Sequence, residues 1–199
     1  MIRFIFDLDG TVTSQEILPV IAALFHVEKD IEKLTAETIS GHVPFVESFI
    51  KRVHLMGDKP VDTIRKRVEE IPFYPEIDRF IHSHADQCVI ATGNLDCWVD
   101  GLCKKAGCDF YTSKATTKDN RIEAIESILR KEVIVRKYQA MGDEVVFIGE
   151  GNDDLEAMRQ ANFSIASGLT HLPSNSVLGI TDYVVYKEEA LCRQLNQLL

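Results

Sequence analysis

Short, nearly uninterrupted apolar runs recur along this chain, separated by stretches whose apolar residues repeat at helical spacing. Residues 3–6, 88–91, 109–111, 145–148, 163–166 and 183–186 read as strands. Several show little polar alternation, as expected for strands covered on both faces by helices. Strand and helix in alternation predict an α/β fold built on a doubly wound parallel sheet. Sheets of this kind gather their ligands at the carboxyl ends of the strands.

Residues 14–73 break that rhythm and contain no convincing strand. Ile17, Leu18, Ile21, Leu24 and Phe25 repeat at helical spacing, as do Val46, Phe49, Ile50 and Val53, and later Val61, Ile64, Val68 and Ile71. Gly41 and Gly57 stand where helices could stop, and Pro72 and Pro75 bracket a return to the sheet. The organisation expected is an α/β core of residues 1–13 and 74–199, with a helical lobe of residues 14–73 inserted after the first strand.

Composition narrows the function classes. The formal net charge of −9 disfavours a nucleic-acid or anionic-membrane surface, because phosphate backbones are held by excess Lys and Arg. A small phosphorylated substrate needs only a local positive group. The five cysteines form no Cys-x-x-Cys pair and are odd in number, which argues against a disulfide framework or a zinc site and for a reducing compartment. No signal-peptide pattern precedes the first strand and no apolar run has membrane-spanning length, so a cytoplasmic location is expected. The histidines, His82 and His84 included, read as surface polar residues.

Candidate chemistry sits directly after the apolar runs. Asp7 and Asp9 follow the first, two residues apart and so pointing to the same side, and Gly10 lets the backbone turn. Thr92, Gly93 and Asn94 follow the second. Gly149, Glu150, Gly151, Asn152, Asp153 and Asp154 follow the fourth. In a parallel sheet these clusters meet at one edge, bringing up to five carboxylates together. So much like charge calls for a hard divalent cation, and magnesium suits a site of a few carboxylates, waters and a phosphate. Capping of the following helix is the competing reading of residues 150–154.

These motifs resemble the haloacid dehalogenase superfamily of phosphohydrolases over essentially the whole chain. Asp7-Leu8-Asp9-Gly10-Thr11 is similar to its first motif, Thr92 to the phosphate-binding residue of the second, and residues 149–154 to the acidic fourth. For the third-motif cation Lys131 fits best by its distance from Gly149, with Arg130 and Lys137 as the other candidates. The resemblance implies a Rossmann-like core and a magnesium-dependent phosphatase. Asp7 would be the nucleophile that becomes an aspartyl-phosphate, and Asp9 the acid and base. Asp7, the Asp9 backbone carbonyl and Asp154 would hold magnesium, with Glu150 reaching it directly or through water. Thr92 and Lys131 would bind the phosphoryl group. Glu150 and Asp153 stand where the family usually has Asp and Asn; Asp153 would add negative charge near the phosphate.

The helical insert resembles the cap of the phosphoserine phosphatase group. Glu16 matches the acidic residue that takes the substrate's amino group there, and Arg52 the cap-helix arginine that takes its carboxylate. Phe45, Phe49 and Arg52 share one helix face, and a guanidinium beside aromatic rings is suited to bidentate carboxylate binding. The expected partner is a small phosphorylated metabolite, phosphoserine or one like it. The alternatives are another phosphometabolite (a sugar, ketone or cofactor phosphate), phosphoryl transfer to another alcohol, and a weakly active regulatory protein.

Overall fold

The first apolar run forms β1 (Ile2–Phe6) and lies inside the sheet, parallel to β2 (Cys88–Leu95) on one side and to β5 (Glu144–Gly149) on the other. The computed structural model describes every residue except 40 and 41, and every side chain except those two and residues 39 and 45. Beyond β2 come β3 (Asp109–Lys118) and β4 (Arg121–Ser127); beyond β5 come β6 (Phe163–Ser167) and β7 (Tyr183–Val185). The order is β4-β3-β2-β1-β5-β6-β7. The chain winds outward from β1 in both directions, so the carboxyl ends of β1, β2 and β5 are neighbours.

One edge departs from the sequence pattern. β3 runs to Lys118 instead of stopping near residue 111, and turns back into an antiparallel β4. The sheet is therefore mixed. Asp119 and Asn120 make the turn with φ of 50° and 61°, the left-handed pair that a two-residue hairpin needs. β4 escaped the hydrophobic pattern because only Ile122 and Ile125 of this strand turn toward the core.

Period-two alternation divides the strands between two apolar layers. Phe4, Phe6, Ile90, Val146 and Ile148 face one layer, with α5 (Pro75–Ser83), α6 (Asp96–Lys105) and α10 (Glu188–Leu198). Ile5, Val89, Ala91 and Phe147 face the other, with α7 (Lys131–Ala140), α8 (Leu155–Gln160) and α9 (Asn175–Leu178). Each fully buried side chain such as Phe4, Phe147 or Trp98 contributes about 1.5–3 kcal/mol by leaving water.

Among the described residues the insert forms four helices: α1 (Ile17–Phe25), α2 (Glu28–Ile39), α3 (Phe45–Met56) and α4 (Val61–Val68). α2 is mostly polar, with Ile31 its fully buried apolar contact, and helical spacing of apolar residues did not reveal it. Val46, expected on the buried stripe of α3, is half exposed. Gly57 ends α3 as expected, whereas Gly41 lies outside the described residues. Ile17, Ile21, Phe49, Val53, Ile64 and Val68 belong to the same apolar cluster as Phe4 and Trp98, so the insert shares its core with one face of the sheet. Its two ends are tied together where Thr13 bridges Phe73, Ser14 N donates to Pro72 O (2.9 Å) and Tyr74 N donates to Val12 O (2.9 Å). All five cysteines are free thiols. Among the described residues no helix is long and apolar enough to cross a membrane.

Candidate active site

Backbone pairing carries Asp7 to the edge of the sheet. Asp7 N donates to Ile148 O (2.8 Å), which continues the ladder one step beyond β1. Gly10, with φ of +60°, then turns the chain, and Val12 N and Thr13 N both donate to Leu8 O (3.0 and 2.9 Å). The turn leaves Asp9 beside the start of α1, where Asp9 Oδ1 accepts from Ile17 N at 2.7 Å. Asp9 Oδ2 accepts from the side-chain amide of Asn94, which arrives from β2.

Lys131, the first residue of α7, reaches beneath this loop. Its Nζ lies 2.5 Å from Asp7 Oδ1, 2.6 Å from Asp154 Oδ1 and 2.7 Å from Asp153 Oδ2. Arg130, itself exposed, pairs with the buried Glu132 at 2.5 Å, and Lys137 donates to Tyr111 Oη at 2.5 Å, so neither alternative cation joins the cluster. Asp154 turns its other oxygen to its own loop, accepting from Glu150 N and Gly151 N at 2.9 Å each.

Three carboxylates face one buried ammonium. Burial raises the Asp7 carboxyl well above its usual range, and Lys131 only partly offsets this. Burial also raises Asp154. For Asp153, burial is outweighed by Lys131 and Arg52, and its carboxyl is held low. For Lys131, burial opposes the charge, but Asp153, Asp154 and Asp7 prevail and hold it well above the usual lysine range. Asp9 is pushed to about 7, by burial first and Glu16 second, against the bonds from Ile17 and Asn94. Glu150 is raised by burial and then by Asp7 and Asp154. The negative charge exceeds what Lys131 compensates, and the surplus donors are carboxylate oxygens, the set a hard divalent cation takes.

Over these groups opens a cavity of about 360 Å³, within the range of small-molecule sites. Asp7, Asp9, Gly93, Asn94 and Asp153 line it from the sheet edge, and Glu16, Leu18, Phe49 and Arg52 from the insert. Thr92 is fully buried; its Oγ1 accepts from Asn94 N (3.2 Å) and Asn94 Nδ2 (3.0 Å), so Asn94 holds together the threonine and Asp9. Arg52 is buried on the cavity wall and donates from Nε to Ser48 O at 3.3 Å. Phe45 begins α3, but its side chain lies outside the described residues; Phe49 supplies the aromatic wall.

The acidic residues sort into two groups rather than one. Oxygens of Asp7, Asp153 and Asp154 lie within 4.8 Å of one another, whereas Glu150 groups with Glu16 and His171. Glu150 Oε2 accepts from Thr11 Oγ1 at 2.6 Å, a role for the first-motif threonine that the residues around it do not signal. His171 is the other omission. It reads as a surface histidine in sequence, yet lines the cavity and lies 2.9 Å from Glu16 Oε1. The hydrogen bond to Glu16 raises its basicity against the effect of burial.

Comparisons with known proteins agree with this architecture. The archaeal phosphoserine phosphatase of Methanocaldococcus jannaschii is 24% identical over 175 residues, covering 81% of this chain and 83% of its own length. The Saccharomyces cerevisiae phosphoserine phosphatase is 25% identical over 178 residues, covering 82% of this chain, which spans only 58% of that relative. A solved structure described as a phospho-aspartyl intermediate analogue of phosphoserine phosphatase superposes with a TM-score of 0.82 at 22% identity, over 98% of this chain and 97% of the other. At that identity the likeness is one of fold. The sequence profile described as haloacid dehalogenase-like hydrolase matches residues 4–159, and the chain belongs to that family.

Proposed function

We propose that this protein is a magnesium-dependent phosphomonoester hydrolase that works through an aspartyl-phosphate on Asp7, with phosphoserine or a similar small phosphorylated metabolite as substrate. The observation that carries the reading is the joining of Asp7 to Lys131 at the strand edge, with Asp9 held beside it by Ile17 and Asn94. Residues 1–13 and 74–199 act as the catalytic core and residues 14–73 as the cap that covers the cavity.

Asp7 attacks phosphorus with a carboxylate oxygen, and the bond from phosphorus to the substrate oxygen breaks. Asp9, largely protonated below its pKa of about 7, gives its proton to the departing oxygen. The Asp9 carboxylate then takes a proton from water, the hydroxide attacks phosphorus, and the bond to Asp7 breaks to release phosphate. Lys131 keeps Asp7 oriented and offsets its charge. The Gly93–Asn94 turn on the cavity wall donates to the phosphoryl oxygens, and Thr92, fully buried behind it and outside the cavity lining, holds Asn94 in place. A magnesium ion held by Asp7, the Asp9 carbonyl, Asp154 and Glu150 would neutralise charge between the carboxylates and the phosphoryl group. Glu16 and Arg52 face the non-phosphate end of the substrate from the cap side.

The test is phosphate release from a panel of phosphomonoesters, phosphoserine included, with magnesium and with a chelator. Release should require the metal, and Asp7→Asn should lower it by about 10⁴ or more. Undiminished turnover by Asp7→Asn would discard the mechanism; no release from any panel member would discard the activity.

A further inference from the structure

Lys131 stands at the base of the cavity without reaching into it. An ammonium has three protons. Three carboxylate oxygens lie within 2.7 Å of Nζ: Asp7 Oδ1 at 2.5 Å, Asp154 Oδ1 at 2.6 Å and Asp153 Oδ2 at 2.7 Å. Each proton of this lysine is therefore matched by a carboxylate. The Lys131 side chain is 2% exposed and does not line the cavity, whereas that of Asp153 is 26% exposed and does. Asp153 thus stands between the lysine and the space that a phosphoryl group would fill.

The loop that carries Asp153 fixes its place. Asp154 Oδ2 accepts from Glu150 N and Gly151 N, Ser174 N donates to Glu150 O, and Ser176 Oγ donates to Asn152 Oδ1. The residues on both sides of Asp153 are thereby pinned, which keeps its carboxylate over Nζ. A phosphoryl group entering the cavity meets this carboxylate as well as Asp7 and Asp9. Like charges this close repel, and the lysine that would offset the repulsion has no proton left to give.

We propose that Asp153 is a positioning residue: by taking the third proton of Lys131 it withholds this cation from the phosphoryl group, so that the inorganic phosphate formed in the reaction is held weakly and leaves readily. The proposal rests on the phosphomonoesterase reading above and concerns how the same site treats its product.

The test is titration calorimetry of inorganic phosphate, with saturating magnesium, into the wild type, Asp153→Asn and Asp153→Ala, alongside phosphate inhibition of ester hydrolysis. Asparagine removes the charge and keeps an oxygen that can accept from Nζ; alanine removes both and frees a proton. Phosphate should bind Asp153→Ala about tenfold or more tighter than the wild type, the scale of one charge-assisted hydrogen bond. Asp153→Asn should lie between the two, and the inhibition constants should fall in the same order. A gain of affinity is the readout because damage to the fold would weaken binding. Asp153→Ser, too short to reach Nζ, takes the place of Asp153→Ala if that variant does not fold. Hydrolysis by the wild type with no gain of phosphate affinity in Asp153→Ala overturns the proposal alone. Equal gains in Asp153→Asn and Asp153→Ala overturn it too, since repulsion without any release of Lys131 would then account for both. If the wild type hydrolyses no phosphomonoester, the phosphomonoesterase reading falls and takes this proposal with it.

Discussion

Lys131 Nζ lies 2.5 Å from Asp7 Oδ1 across 124 residues of sequence, and both side chains are almost wholly buried. One ammonium thus joins the start of α7 to the end of β1 and stands among Asp7, Asp153 and Asp154. Removing it leaves three carboxylates crowded together without a compensating charge. Lys131→Met should destabilise the protein by about 3–5 kcal/mol in urea unfolding. Magnesium should raise the melting temperature of this variant more than that of the wild type, because it replaces the missing charge. Equal stability of variant and wild type without metal would show that Lys131 does not hold the cluster together.

Asp9 is fixed by Ile17 N on one oxygen and Asn94 on the other, so Asp9→Asn keeps the shape and loses the proton. With an alkyl phosphate, kcat should fall by about 10²–10⁴. With p-nitrophenyl phosphate the loss should be much smaller, since that leaving group departs without protonation. Equal losses on both substrates would remove Asp9 from the acid role.

The hairpin tip links core to insert. Asn120 O accepts from Val61 N, and Asn120 Oδ1 from Asp62 N, both at 2.9 Å, so a left-handed asparagine caps α4. Asn120→Ala loses the side-chain cap and strains a φ of 61°. A loss of about 1–2 kcal/mol is expected in thermal or urea unfolding, and Asn120→Gly should lose less. A variant as stable as the wild type would mean that the tip does not brace the insert.

At the opposite end of β1, Asp143 accepts from Arg3 Nε at 3.0 Å and from the N-terminal ammonium at 3.2 Å. Burial is the largest single influence and raises its carboxyl, but the two cations together outweigh it and hold the value low. A carboxyl depressed by folding stabilises above its unfolded pKa and loses that contribution as pH falls through the folded value. Asp143→Asn should cost about 1 kcal/mol at pH 7, and the difference should shrink as pH falls below about 4. Urea unfolding across this range checks it; a difference independent of pH would assign the loss to packing instead of charge.

Much of the candidate site was legible because it is local chemistry at strand ends. Asp7 and Asp9 follow an apolar run, and a parallel sheet must bring such ends together. Lys131 was distinguishable from Arg130 and Lys137 only by motif spacing, and the geometry separates them: one is buried among carboxylates, whereas the others are engaged by Glu132 and Tyr111 away from the cluster. The β3–β4 hairpin was not legible, because its residues are mostly half-buried or exposed and carry little hydrophobic periodicity. His171 was not legible either. Nothing in its neighbours marks it, and its meaning comes from Glu16, which is 155 residues away.

By itself, the amino-acid sequence determined the strand runs, the helical insert and the residues that carry charge at the strand ends, since hydrophobic period and turn chemistry act over a few neighbouring residues. Only the tertiary structure decided which of those charges meet. Glu150 turns to Thr11 and the His171 loop while Asp153 joins Asp7 and Asp154 around Lys131, because contact at 2–3 Å is set by the crossing of distant segments and not by their order in the chain.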